Sequence, residues 1–252
     1  DITLFAGSGG SRNDSYAQIG HGGRATNGNH YGTIDITTTA VGSDVSLEGG
    51  SWQGFAQIGH GGRDSDGNMG NDGTNNESIS KITMNVADEI RVAGGGNGGS
   101  SWNQRESFAQ IGHGGQGADG NHIGAIDVTA GGNIDFRGGT TYRAYAQLGN
   151  GGRNARGDHR GNIDVTSTGG NILFTGGPTR NESYAQLGHG GYDADNPNFG
   201  APGYFFDAAA RAANLANNPG GARTLTAAER VGNSGNITVN ASGSVLLTGT
   251  AE

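Results

Sequence analysis

An aromatic residue followed by Ala-Gln-Ile/Leu-Gly-His-Gly-Gly occurs five times, at 16–23, 55–62, 108–115, 145–152 and 184–191, with Asn150 replacing His once. The starts lie 39, 53, 37 and 39 residues apart. Self-similarity at such a period marks a repeat architecture, in which each unit buries its apolar face only against its neighbours. The octet is therefore one stripe of a stack, and a single copy is not an active-site motif.

Two further stripes accompany it. One reads Ile34-Asp35-Ile36, Ile82-Thr83-Met84, Ile126-Asp127-Val128, Ile163-Asp164-Val165 and Ile237-Thr238-Val239. The other reads Ile2-Thr3-Leu4, Val45-Ser46-Leu47, Ile90-Arg91-Val92, Ile134-Asp135-Phe136, Ile172-Leu173-Phe174 and Val245-Leu246-Leu247. Each alternates with period two, is rich in β-branched residues and is bounded by Gly, Asn or Ser, as short half-buried strands are. Three strands in fixed order, with no helix long enough for a βαβ crossover, give an all-β chain. We expect a right-handed parallel β-helix of about five three-stranded coils. Alternation places Ala17, Ile19, Ile34, Ile36, Val45 and Leu47 inside. It places Tyr16 and Gln18 outside, so that five aromatics form an outer stripe beside five Gln. Phe at two of those outer positions calls for a cover, either long turns or another chain.

After each octet the chain keeps length: His21 to His30, His60 to Met69, His113 to His122, Asn150 to His159 and His189 to Asn198 are each nine residues. Within these turns Gly28, Gly67, Gly120 and Gly157 follow a polar residue and supply positive φ. Equal turns stack, so Asn29, Asn68 and Asn121 are expected to form a ladder of amides. Residues 1–252 thus form one solenoid domain with two insertions. The first, 70–78, is a polar loop. The second, 200–234, contains an Ala-rich stretch ended by Pro219-Gly220, then a capping box at Thr226 and Glu229. It reads as a small helical insertion packed through Phe205, Phe206 and Leu215.

Composition narrows the function. Fifty-three Gly without a Gly-X-Y period exclude collagen. A net charge of −8 argues against nucleic acid and anionic membrane surfaces as partners. No apolar run reaches the ~18 residues of a membrane-spanning helix. No Cys is present, which removes disulfides and thiol chemistry and is compatible with an oxidising exterior. The chain opens at Asp1 without a signal peptide, as a processed product or an excerpt would.

The phrase Gly235-Asn236-Ile237-Thr238-Val239, continuing to Gly249, resembles the filamentous-haemagglutinin-like repeats of giant bacterial adhesins, as does Gly161-Asn162-Ile163-Asp164-Val165 through Gly177. The resemblance covers two of the three stripes. It implies a secreted, long right-handed β-helix used in adhesion and biofilm, at the cell surface or outside the cell.

Several residues invite chemistry. The octet ladder comprises Tyr16, Gln18 and His21; Phe55, Gln57 and His60; Phe108, Gln110 and His113; Tyr145 and Gln147; Tyr184, Gln186 and His189. A line of stacked imidazoles is a poor tetrahedral cage, and Asn150 interrupts it, so a structural ladder is favoured over metal. Asp64, Asp66, Asn68 and Asp72 offer oxygen ligands for a possible Ca²⁺, without EF-hand spacing; no other cofactor is expected. Asp35, Asp127 and Asp164 form a carboxylate row of the kind β-helical glycan-cleaving enzymes use. That chemistry needs two unequal carboxylates across a cleft, and repetition points to a solvated face instead. Trp52, Trp102 and Tyr142, in the turn before the octet, are candidate contacts for a surface glycan or a partner.

The expected function is a non-enzymatic extracellular structural or adhesive segment, a surface or matrix fibre continued end to end by self-stacking or by a longer parent chain. The rival readings are a glycan-active or tailspike-like β-helix, and a Ca²⁺-dependent binding module.

Overall fold

The computed structural model describes residues 1–7, 15–71, 76–96, 106–178, 182–194 and 233–249, and the chain is a parallel β-solenoid. Every strand pair is parallel and in register, each strand lying on its counterpart one repeat away. One sheet has six strands: Ile2–Phe5, Val45–Glu48, Ile90–Ala93, Ile134–Arg137, Ile172–Thr175 and Val245–Thr248. A second has five: Ile34–Thr37, Ile82–Val86, Ile126–Ala130, Ile163–Ser167 and Ile237–Ala241. The third is the octet sheet: Tyr16–Ile19, Phe55–Ile58, Phe108–Ile111, Tyr145–Leu148 and Ala185–Leu187.

Period-two alternation sends one face of each strand into a common core. Ile and Val of the first two sheets meet Ala56, Ile58, Ala109, Ile111, Ala146 and Leu148 of the octet sheet there. Small Ala alternating with Ile leaves room for Phe136 and Phe174, which enter from the six-stranded sheet and stack at 4.7 Å. The expected inward set is therefore the observed one.

The outer face of the octet sheet departs from expectation. Phe55, Phe108 and Tyr145, with Gln57, Gln110 and Gln147, are fully buried rather than forming an exposed stripe. The aromatics make a second, separate core, closed at one end by Tyr184. Only Tyr16, in the first coil, stays half exposed. The cover is the chain's own post-octet turn. The Gly-Gly that ends each octet lets the backbone fold back against the ring tips; a Cβ on Gly23 would lie 2.8 Å from the Tyr16 hydroxyl, and one on Gly152 the same distance from that of Tyr145. Each coil is thus a core with a side lobe, and the octet strand is buried on both faces in the second, third and fourth coils.

The lobe also adds a fourth stripe to the three expected. His122–Ile123, His159–Arg160 and Asn233–Ser234 form a short sheet, extended by single bridges from Met69 to His30 and His122. The fifth lobe corrects the nine-residue rule: Asn233, not Asn198, takes the place beside His159. The segment 195–232 intervenes; 200–232 of the proposed helical insertion lie outside the described residues, while its last two, Asn233–Ser234, belong to the solenoid as a strand. Residues 72–75 within the first insertion also lie outside the described residues.

Both turn ladders run mainly from side chain to backbone; the expected Asn29, Asn68 and Asn121 column does so, and an amide-to-amide bond joins Asn171 to Asn133 at 3.3 Å in the other. Oδ1 of Asn29 accepts the N–H of Asn68, Asn68 that of Asn121, and Asn121 that of Asp158. Before the six-stranded sheet, Asp1 accepts from Asp44, Asp44 from Glu89, Asn133 from Asn171 and Asn171 from Ser244. An Asx oxygen here does what a strand carbonyl does elsewhere, so pairing carries on through the bends.

Candidate functional site

The octet columns are the most chemistry-bearing part of the fold. The octet Gln side chains reach across the coil boundary. Gln57 Nε2 donates to Gly112 and Gly114 carbonyls, Gln110 to Gly149 and Gly151, and Gln147 to Gly188 and Gly190, at 2.7–3.1 Å. Glycine suits these positions because the extended, left-handed turn brings the two carbonyls to one amide. Replacing Gln110 with Leu removes two buried bonds and strands the Gly149 carbonyl, while the Gly151 carbonyl keeps the Gly115 N–H. A loss of about 2 kcal/mol is expected in urea unfolding, with an unchanged m-value.

The His column is a set of clamps. Nδ1 of His60 accepts the backbone N–H of His21, and its Nε2 meets the Gly32 carbonyl at 2.7 Å. His113 bridges His60 N–H and the Ser80 carbonyl in the same way. His189 bridges Asn150 N–H and the Gly161 carbonyl. A ring that accepts at Nδ1 must carry its proton at Nε2, so the tautomer is fixed by its partners. Each ring thereby pins the two ends of the preceding coil's lobe. His113 joins His60 to Ser80, on either side of the first insertion in chain order, and the strands after it keep their register.

Asn150 now has a physical explanation. Its Oδ1 accepts the His113 N–H at 2.9 Å, and its Nδ2 donates to the Gly124 and Arg160 carbonyls. Acceptor and donor are those of the neutral imidazole, so the amide is a functional replacement.

The second His set is different. His122 and His159 stack at 4.7 Å with Nδ1 atoms 2.8 Å apart, so only one of the two Nδ1 atoms carries hydrogen. Burial, with each other's and neighbouring charge, holds His122 well below its ordinary range. Burial also takes His159 down to about 4.

A charged clasp that the sequence reading missed closes the lobe over the aromatic core. Glu106 meets Arg63 at 3.2 Å and Arg143 and Arg153 at 3.4 Å each. Glu182 meets Arg143 at 2.7 Å and Arg153 at 3.5 Å, while Arg63 also holds Asp64 at 3.2 Å. Arg153 is fully buried. The clasp ties the pre-octet turn, where Gln53, Glu106, Arg143 and Glu182 all have positive φ, to the residue after Gly-Gly. Its signal was in the sequence: Arg24, Arg63 and Arg153 each follow Gly-Gly, and Glu106 and Glu182 each precede Ser-aromatic.

The other candidates disperse. Asp64 is engaged by Arg63, and Asn68 Oδ1 by Asn121, so neither is held ready for a cation; Asp72 lies outside the described residues. No group of three His, Asp or Glu converges on a point among the described residues. Asp35, Asp127 and Asp164 share the outward face with Thr83 and Thr238 along one flat sheet, and Asp127 pairs with Lys81 at 3.1 Å. Trp52 and Tyr142 are half-buried and two coils apart, with the Arg143 guanidinium 4.5 Å above the Tyr142 ring; Trp102 is outside the described residues. No protein-family model, curated protein or solved structure matches the chain.

Proposed function

We propose that the chain is a non-enzymatic structural segment of an extracellular or cell-surface β-solenoid, of the adhesin-like kind its repeats resemble, and that it extends end to end into a fibre. The observation that carries this reading is the use of the octet. Its Gln, His and aromatic columns are committed to bonds and stacks between coils, which is the chemistry of a stack and not of turnover. Exposed apolar side chains at one sheet edge support the same reading. Ile2–Phe5 and Val245–Thr248 are the edge strands of the six-stranded sheet. Leu247 is 63% exposed where its stacked counterpart Phe174 is 2%. A further coil laid on this edge, whether of the same chain or of another copy, would bury Ile237, Val245 and Leu247 and pair the open backbone groups.

Light scattering and electron microscopy of the purified chain across a concentration series test this. Rods of constant width that lengthen with concentration are expected, and Leu247→Lys should shorten them. A monodisperse monomer at every concentration, from a chain shown to be full length, contradicts end-to-end continuation.

A further inference from the structure

We infer that the octet clamps make lobe closure acid-labile coil by coil, and that the Asn150 rung is the proton-insensitive joint among them. The inference rests on the clamp geometry and not on the function proposed above.

Each clamp uses both nitrogens of a neutral ring: Nδ1 takes an N–H and Nε2–H gives to a carbonyl of the same preceding lobe. A proton added at Nδ1 would face that N–H with a second donor. The bond would become a repulsion, and the lobe neck would lose one of its two pins. The amide of Asn150 makes the same two connections and does not titrate in this range. The joint between the third and fourth coils therefore holds where those pinned by His60, His113 and His189 release.

The groups around these rings oppose protonation. His60 faces His21, His30 and His113; His113 faces His60, His122 and the more distant His189. His122 faces His159, which lies near Asp158 and His189. Among the described residues, the accepting carbonyls of Gly32, Ser80 and Gly161, and Glu77 near His189, favour the cation at a clamp, and burial outweighs them. Burial is the largest cause of the lowered values at His60, His113 and His189, and it takes His113 down to about 3. The sign follows directly. An unfolded His binds its proton near pH 6.5, whereas the folded clamp does not, so unfolding takes up protons below that pH. The stabilisation is complete above about pH 6.5 and is lost as the pH falls towards the folded values.

The fourth coil supplies the experiment. His113→Asn copies what the protein itself does at Asn150, and Asn150→His reverses it. Acid unfolding followed by circular dichroism should show His113→Asn folded at pH 7 and its acid midpoint lowered by roughly half a pH unit. Asn150→His should raise the midpoint by a similar amount. His60→Asn serves as a second test with the same expected direction. Unchanged midpoints, or shifts of opposite sign, overturn the inference. So does failure of both His→Asn variants to fold at pH 7, because the amide would then not replace the imidazole.

Discussion

Gly112→Ala will abolish folding of the solenoid or cost more than about 4 kcal/mol, the range reserved for steric insults with no escape. Gly112 has φ +148°, and a Cβ there would fall on the Gly149 carbonyl oxygen of the next coil. That oxygen cannot retreat, because Gln110 holds it at 2.9 Å. Gly59 sits in the same way on Gly112, and Gly149 on Gly188, so the methyl group would have to push whole coils apart. Gly28 is the control. Its φ is +104°, but a Cβ would meet nothing within 4 Å, so Gly28→Ala should carry only the conformational cost of about 1–2 kcal/mol. Thermal and urea unfolding of the two variants separates steric exclusion between coils from local strain.

Glu106→Gln is expected to cost about 3 kcal/mol, although it keeps the size of the side chain and can still accept hydrogen bonds. Burial alone would raise the Glu106 carboxyl, but Arg63, Arg153 and Arg143, with Gln116, outweigh it and hold it below its ordinary value. Three guanidiniums (Arg63, Arg143, Arg153) face three carboxylates (Asp64, Glu106, Glu182) in the clasp. Removing Glu106 leaves buried Arg153 with Glu182 alone. The loss comes from an uncompensated buried charge and not from the worth of one pair. Glu106→Gln combined with Arg153→Met should therefore recover much of the stability in a double-mutant cycle. Because the carboxyl is held low when folded, its contribution is present above the ordinary Glu value and fades as the pH falls through the lowered one.

The parts of this fold that could be read from sequence are those governed by local periodicity. Ile34-Asp35-Ile36 and its copies alternate cleanly, and their pairing, register and inward faces follow from that alternation. The octet could be read only in half. Ala17 and Ile19 face the core as alternation requires, but the same rule assigns Tyr16 and Gln18 to solvent. It cannot see that the turn after the strand folds back over them. That information lies in Gly22-Gly23 and in the Arg63 and Arg153 column, whose partners Glu106 and Glu182 come from the turn before the strand. Pairing between Glu106 and Arg153 is a tertiary fact with no periodic signature of its own. The role of His was legible as a ladder, while its dual bonding became visible only once Gly32, Ser80 and Gly161 were placed beside the rings. The misplacement of Asn198 arose where an insertion separates the fifth octet from its fourth-stripe residue.

The central claim is that the octet histidines are neutral clamps with a fixed proton. Imidazole ¹⁵N chemical shifts, measured by NMR across a pH titration of the folded protein, test it most directly. The account predicts His60, His113 and His189 in the Nε2–H form with a bare, hydrogen-bonded Nδ1 at pH 7, and His113 still neutral at pH 5. Rings that exchange between tautomers and titrate near pH 6.5 would contradict it.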